Sequence, residues 1–275
     1  MDPITGVIAL VLTGIAVGVA GGLLGVGGCF IMVPVQIWVF TSLGVPLDIA
    51  VKQAFGTNLL VVLPTAMSGA WGHHRRGVVW WRAGIVLGVA GAIGALIGAT
   101  IAAHIPGATL KVVFGMVILL GAIRMLTAKP IKVEEEPVED PLIWAAWGLP
   151  MGVVTGIIGI GGGILMIPVM VLALKFKMHN AVGTSTAMMI FTTIGGITGY
   201  ILNGLYVPDL PAYSIGYVNL VAFASLAIAS IPMAQVGVRA AHRLPADKLR
   251  KVFILVMFYV GLKMIGIFTW LGLPI

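Results

Sequence analysis

Charge is what this chain has least of: Asp, Glu, Lys and Arg make up 9% of 275 residues, against 60% hydrophobic residues. With a mean hydropathy of +1.12, that scarcity excludes a soluble domain, which carries about a quarter charged residues. Cysteine is nearly missing too. Cys29 stands alone in an apolar stretch, which excludes an intrachain disulfide. No acidic residue falls inside an apolar run: Asp48 and Asp209 sit in loops, and the others are Asp2, Asp247 and a central cluster. A buried carboxylate relay for protons is therefore not expected. Nor is there an HExxH sequence or an acidic pair within an apolar segment, and the five His lie at loops or segment ends. A membrane-embedded enzyme would lack its catalytic set, so no catalytic residue, metal or cofactor is expected.

What is present is glycine, 38 of them, and a phrase written twice. GVAGGLLGVGGCFIMVPV from Gly18 is answered by GVVTGIIGIGGGILMIPV from Gly152, with nine of eighteen positions identical. Gly56-Thr57-Asn58 is answered by Gly183-Thr184-Ser185, and Ile105-Pro106 with its following LKVVF by Leu244-Pro245 and LRKVF. The order is kept throughout, so the chain reads as two copies of one unit. Between them, Lys129 to Pro141 holds five of the nine acidic residues and three prolines. The expected organisation is a first membrane repeat at 1–128, an acidic linker at 129–141 and a second membrane repeat at 142–275.

Apolar segments run at about 4–24, 28–43, 54–72, 79–103 and 109–127, then at about 142–158, 162–174, 181–202, 216–240 and 250–272. In each half the first two meet at the glycine cluster, and several fall short of the roughly 20 residues a span requires. They read as broken or re-entrant helices. Met1-Asp2-Pro3 lacks the basic region of a cleavable signal peptide, so the first run is expected to stay in the membrane.

Basic residues set the orientation. After the third segment of the first half comes His73-His74-Arg75-Arg76 and then Arg82, whereas the corresponding loop of the second half, from Asn203, has no Lys or Arg. The next loops reverse the bias: His104 and Lys111 in the first half, Arg239, Arg243, Lys248, Arg250 and Lys251 in the second. Equivalent loops on opposite sides require an odd number of crossings per half. The expected fold is an all-α polytopic membrane protein of two inverted repeats, each with a glycine-broken or re-entrant helix pair plus three transmembrane helices. Lys175, Lys177 and the linker fall inside by the same rule, and both termini outside.

Inverted repeats with interrupted helices are the signature of a secondary transporter whose halves rock about a site near the midplane. Backbone groups freed by a break cannot face hydrocarbon and must face protein, water or a substrate. A helix starting just after the break presents free N–H groups and a positive dipole end to an anion. Gly25, Gly27, Gly28 and Cys29, with Gly159, Gly161, Gly162 and Gly163, are thus two candidate anion cradles. The competing explanation is close helix packing, but adjacent glycines disfavour a continuous helix more than packing needs. Gly84, Gly88, Gly91, Gly94 and Gly98, spaced along one helix, are assigned to packing. A nucleotide-binding reading fails, since no strand precedes the loops and no Walker lysine follows.

The second candidate constellation is the polar step of Thr57, Asn58, Thr184 and Ser185, with Gln53 just upstream. These side chains could act as ligand donors or bond their own helix's carbonyls. Lys52 is the one cation near a proposed cradle, and such a lysine can instead snorkel to the interface.

The GxGGG-type loop followed by Pro34 or Pro168, the A-x-G-T-[SN] step at Ala54 to Asn58 and Ala181 to Ser185, and the duplication together resemble the TauE/SafE sulfite exporter family, also called toluene sulfonate uptake permeases. The resemblance covers nearly the whole chain. It implies a multi-pass transporter of the prokaryotic cytoplasmic membrane that carries sulfite, sulfonates or sulfoacetate. One departure is Cys29, where the second copy has Gly163.

A potential negative inside drives an anion out with about 2.3 kcal/mol per charge per 100 mV, so export needs no coupling ion whereas uptake does. Export therefore fits the lack of buried carboxylates. An anion channel, an organosulfonate uptake permease and a structural role in the membrane remain the alternatives. The expected partners are a small anionic substrate and membrane lipids, with a homodimer left open and no nucleic acid.

Overall fold

The computed structural model describes residues 2–24, 29–127, 136–241 and 246–270. Gly25, Gly27 and Gly28 and most of the linker lie outside the described residues, as does the side chain of Cys29. The chain is helical almost throughout. In the first half α1 (Pro3–Leu24), α2 (Cys29–Ser42), α3 (Leu47–His74), α4 (Trp81–His104) and α5 (Gly107–Thr127) follow one another. In the second half come α6 (Pro141–Ile158), α7 (Gly163–Leu172) and α8 (Met178–Gly204), then a hairpin of β1 (Ser214–Ile215) and β2 (Val218–Asn219), α9 (Leu220–Ala241), α10 (Ala246–Ile265) and the single turn α11 (Ile267–Trp270).

Local chemistry sets these boundaries. The Asp140 carboxylate accepts from the Leu142 N–H at 2.8 Å and Pro141 opens α6, the expected use of an acidic N-cap and a first-turn proline. Gly266, at φ 90°, ends α10. Among the described residues five helices are long and apolar enough to cross a membrane: Leu47–His74, Trp81–His104, Gly107–Thr127, Pro141–Ile158 and Met178–Gly204. At 28 residues α3 is about 42 Å long. By contrast α7, with 10 residues, reaches about 15 Å, half the hydrocarbon thickness of roughly 30 Å. This is an all-α polytopic membrane protein, apart from the two short strands.

The halves interlock. The first helix of each packs along the fourth helix of the other, α1 on α9 and α6 on α4. Small residues permit the approach: a Cβ on Gly14 would lie 2.8 Å from the Leu226 carbonyl oxygen, and one on Gly148 would lie 2.6 Å from that of Leu87. One turn on, Gly18 meets Ser230 and Gly152 meets Gly91 in the same way. On α4, Gly84, Gly88, Gly91, Gly94 and Gly98 are buried while Ile85, Val89, Ile93, Ile97 and Ile101 face outward. The glycines serve helix packing, as their spacing indicates, and the isoleucine and valine stripe suits lipid.

At the centre α3 and α8 run antiparallel, Gly56 lying against Tyr200 and Gly69 opposite Thr186. His73 at the end of α3 therefore meets the start of α8 at Gly183, and Trp80 stacks edge-on with Phe176. This brings the exposed Arg75, Arg76 and Arg82 to the same end of the molecule as Lys177 and His179. The opposite end carries Asp48, Gly107 and the β1–β2 hairpin, tied to α3 through Gln53 and Ser214.

Candidate functional site

Between α6 and α7 the helix is interrupted by Gly159, Ile160, Gly161 and Gly162, all buried. Gly159 (φ 65°), Gly161 (φ 82°) and Gly162 (φ 96°) are left-handed, a region that favours glycine. Space is equally restrictive. A Cβ would lie 2.6 Å from Phe55 Cβ at Gly159, 2.8 Å from Val62 Cγ1 at Gly161 and 2.7 Å from Thr155 Oγ1 at Gly162. The backbone thus passes within touching distance of α3, and any larger residue would push the two apart.

The hydrogen bonds around the break are unevenly distributed. Three of its four carbonyls have donors beside them: Asn58 Nδ2 on α3 donates to the Gly159 oxygen at 2.6 Å, the Leu165 and Met166 N–H groups donate to the Gly162 oxygen, and the Thr192 hydroxyl on α8 lies 3.3 Å from the Gly161 oxygen, sharing its one proton with the Met188 and Met189 carbonyls of its own helix. Of the amides, only Gly159 N–H is used, capping α6 on the Thr155 carbonyl. Among the described residues no acceptor takes the N–H groups of Ile160, Gly161, Gly162 or Gly163. Beside them the Thr155 hydroxyl and the Asn58 side-chain oxygen are fully buried and unpartnered. Orphaned buried polar groups of this kind cost about 1–3 kcal/mol each. Four unclaimed amides, a hydroxyl and the positive end of α7 lie together on this stretch, and among the described residues no carboxylate bonds to them. That arrangement suits an anion.

Supporting contacts hold the break in register. Tyr200 Oη donates to the Gly156 carbonyl at 2.9 Å, fixing the last turn of α6 against α8. Thr155, Thr192, Thr193 and Tyr200 were not legible as site residues. Thr155 corresponds to Gly21 in the first copy, so the duplication that flagged its neighbours passes over it.

The two G-T steps are used differently from the break. Gly56 lies against the Tyr217 carbonyl, and Thr57 Oγ1 accepts the Asn219 N–H at 2.9 Å. Gly183 lies against the Val78 carbonyl, and Thr184 Oγ1 accepts the Trp80 N–H at 3.0 Å. In both halves the glycine admits a chain from the other half and the threonine takes the N–H two residues further on. Asn219 and Trp80 immediately precede α9 and α4, so each threonine satisfies an orphan amide at the start of the other half's fourth helix. The two clasps lie at opposite ends of the α3–α8 pair.

The remaining candidates are dispersed. Gln53 donates to Ser214 Oγ at 2.6 Å with its oxygen unpartnered, and Ser185 donates to the Val182 carbonyl of its own helix at 2.9 Å. Only Asn58 joins the four residues Gly159, Gly161, Gly162 and Gly163 at the break. Gln36 on α2 is another fully buried amide with neither polar atom partnered. A surface groove between α1 and α9, bounded by Val7, Val11, Leu220 and Ile228, is almost wholly apolar and lies away from these groups.

The family model for the sulfite exporter TauE/SafE matches residues 10–264. The chain belongs to the TauE/SafE family. A probable membrane transporter protein of Methanocaldococcus jannaschii is 30% identical over 259 residues, covering 93% of this chain and 94% of that protein. A probable membrane transporter protein of Haemophilus influenzae is 27% identical over 261 residues, with 94% and 98% covered. The probable membrane transporter YunE of Bacillus subtilis is 27% identical over 215 residues, with 72% and 79% covered. No solved structure matches the chain. This TauE/SafE protein is therefore a multi-pass membrane protein of a transporter family, and the relatives' names point to transport and not to catalysis.

Proposed function

We propose that this protein is a secondary transporter that carries a small sulfur-containing oxyanion, of the sulfite, sulfonate or sulfoacetate class, across the cytoplasmic membrane by alternating access. The observation that carries this reading is the buried break at Gly159–Gly163, with four unclaimed N–H groups beside an unpartnered Thr155 hydroxyl. An oxyanion has several acceptor oxygens and no need of a metal to meet such donors. Its charge is favoured by the N-terminal end of α7. The family to which the chain belongs takes its name from sulfite export.

The mechanism follows from the arrangement of the halves. The antiparallel α3 and α8, the exchanged packing of α1 on α9 and α6 on α4, and the matched clasps at Thr57 and Thr184 support two repeats of inverted topology. Rocking one repeat against the other would loosen one clasp while the other stays closed, exposing the break to one side at a time. With the basic end inside, the membrane potential drives outward movement of an anion by about 2.3 kcal/mol per charge per 100 mV. Export fits that gradient without a coupling ion.

The test is flux of radiolabelled sulfite, sulfate and sulfoacetate in proteoliposomes, with unlabelled anion on the opposite side. Saturable uptake accelerated by trans anion supports a carrier. Flux that is not saturated and not trans-stimulated indicates a channel, and no flux of any of the three refutes the proposal.

A further inference from the structure

Apart from the break, one buried cation stands out. Lys52, in the second turn of α3, is 5% exposed, and no other Lys or Arg whose side chain is described is buried. A buried ammonium is costly unless it is paired, and Lys52 has a single counter-charge: its Nζ lies 2.7 Å from Asp48 Oδ2. That carboxylate is half exposed, with 52% of its side chain accessible, and its other oxygen accepts the Gly107 N–H at 2.6 Å, opening α5. Lys52 has three donors, and the pair with Asp48 occupies one. Its Nζ stands 5.9 Å from the centroid of the Tyr217 ring. Tyr217 belongs to the hairpin segment that Gln53, Gly56 and Thr57 tie down on α3.

We infer that Lys52 is a second oxyanion site, at the hairpin end of the molecule, in which Asp48 is the resting counter-ion and an anion takes its place. The geometry favours exchange. The carboxylate is on the solvent side and keeps its tie to Gly107 when it releases the ammonium, while the ammonium beneath has two unused donors. Lys52 and Asn58 are six residues apart on α3, about 9 Å along the helix axis. Lys52 and the break are thus served by the same helix. This inference rests on the transport reading for its direction of travel, but not for the binding event itself.

Three variants of the full chain in nanodiscs decide it, with [35S]sulfite as the probe in equilibrium binding and the same proteins reconstituted for flux. Lys52→Gln removes the charge and is expected to weaken one of the two sulfite-binding events about tenfold or more, the worth of a charge-assisted hydrogen bond, while the event at the break remains. Lys52→Arg should retain binding. Asp48→Asn keeps an acceptor for Gly107 but removes the competing charge, and should tighten sulfite binding severalfold. A merely structural ion pair predicts the opposite pattern: Lys52→Gln and Asp48→Asn would both lower the melting temperature and leave sulfite affinity unchanged. That result overturns the inference while leaving transport intact. Lys52-dependent binding without flux would sustain this site and refute the transport reading. No binding and no flux would refute both.

Discussion

The matched clasps give a prediction whose size differs between the two copies. Thr57→Val is nearly isosteric, so it removes the hydroxyl and little else. It leaves the Asn219 N–H, now bonded to Thr57 Oγ1 at 2.9 Å, without an acceptor in a fully buried setting. Such an orphan donor costs about 1–3 kcal/mol. Thr184→Val does the same to the Trp80 N–H, but that bond, at 3.0 Å, is only part-buried and water can reach the amide. Its cost should fall below that range, near the roughly 0.6 kcal/mol average for side-chain hydrogen bonds in membrane proteins. Thermal unfolding of purified protein in detergent should therefore rank wild type above Thr184→Val above Thr57→Val. Thr57→Ser, which keeps the oxygen, should stay close to wild type. The clasps are about 20 Å apart along α3, so the double variant should be additive. If Thr57→Ser is as unstable as Thr57→Val, the lost stability comes from the methyl's packing and the capping argument is wrong.

Three other outcomes follow from the geometry. Gly161→Leu must adopt φ 82° and meet Val62 Cγ1; the left-handed backbone alone costs about 1–2 kcal/mol, and sulfite flux in proteoliposomes should be lost while membrane insertion, followed by a fluorescent fusion, is retained. Asn58→Ala removes the 2.6 Å donor to the Gly159 carbonyl and should lower flux at least tenfold. Gly152→Leu would drive a side chain into the Gly91 backbone at the α4–α6 crossing and should prevent recovery of folded protein by size-exclusion chromatography, whereas Gly72→Ala, which has nothing within 4 Å of the added carbon, should behave as wild type.

Much of this architecture was legible because the sequence duplication states each signal twice. The repeated phrase located the break at Gly159–Gly163, and the spacing of Gly84 to Gly98 identified a packing face, since hydrocarbon leaves small residues few other uses. The G-T step was visible for the same reason, but its chemistry was not. A threonine that accepts from a distant backbone amide and one that waits for a ligand look alike in sequence, and only the chain arriving at Asn219 or Trp80 separates them. Thr155 escaped notice because its counterpart is Gly21, so the site's own hydroxyl lies on one repeat alone. The β1–β2 hairpin escaped because two-residue strands leave no periodic pattern. Lys52 was visible as a cation near the site, yet its burial beneath Asp48 depends on the fold.

The central claim is that the free amides of the break hold the anion. Its most direct test is the 15N-glycine spectrum of the protein in nanodiscs during titration with sulfite, with Gly161, Gly162 and Gly163 assigned by substitution. The account predicts that these three amide protons shift downfield, with half the full shift reached at the concentration that half-saturates flux, and that Thr155→Val weakens the response. Saturable sulfite flux with all three resonances unmoved would contradict it.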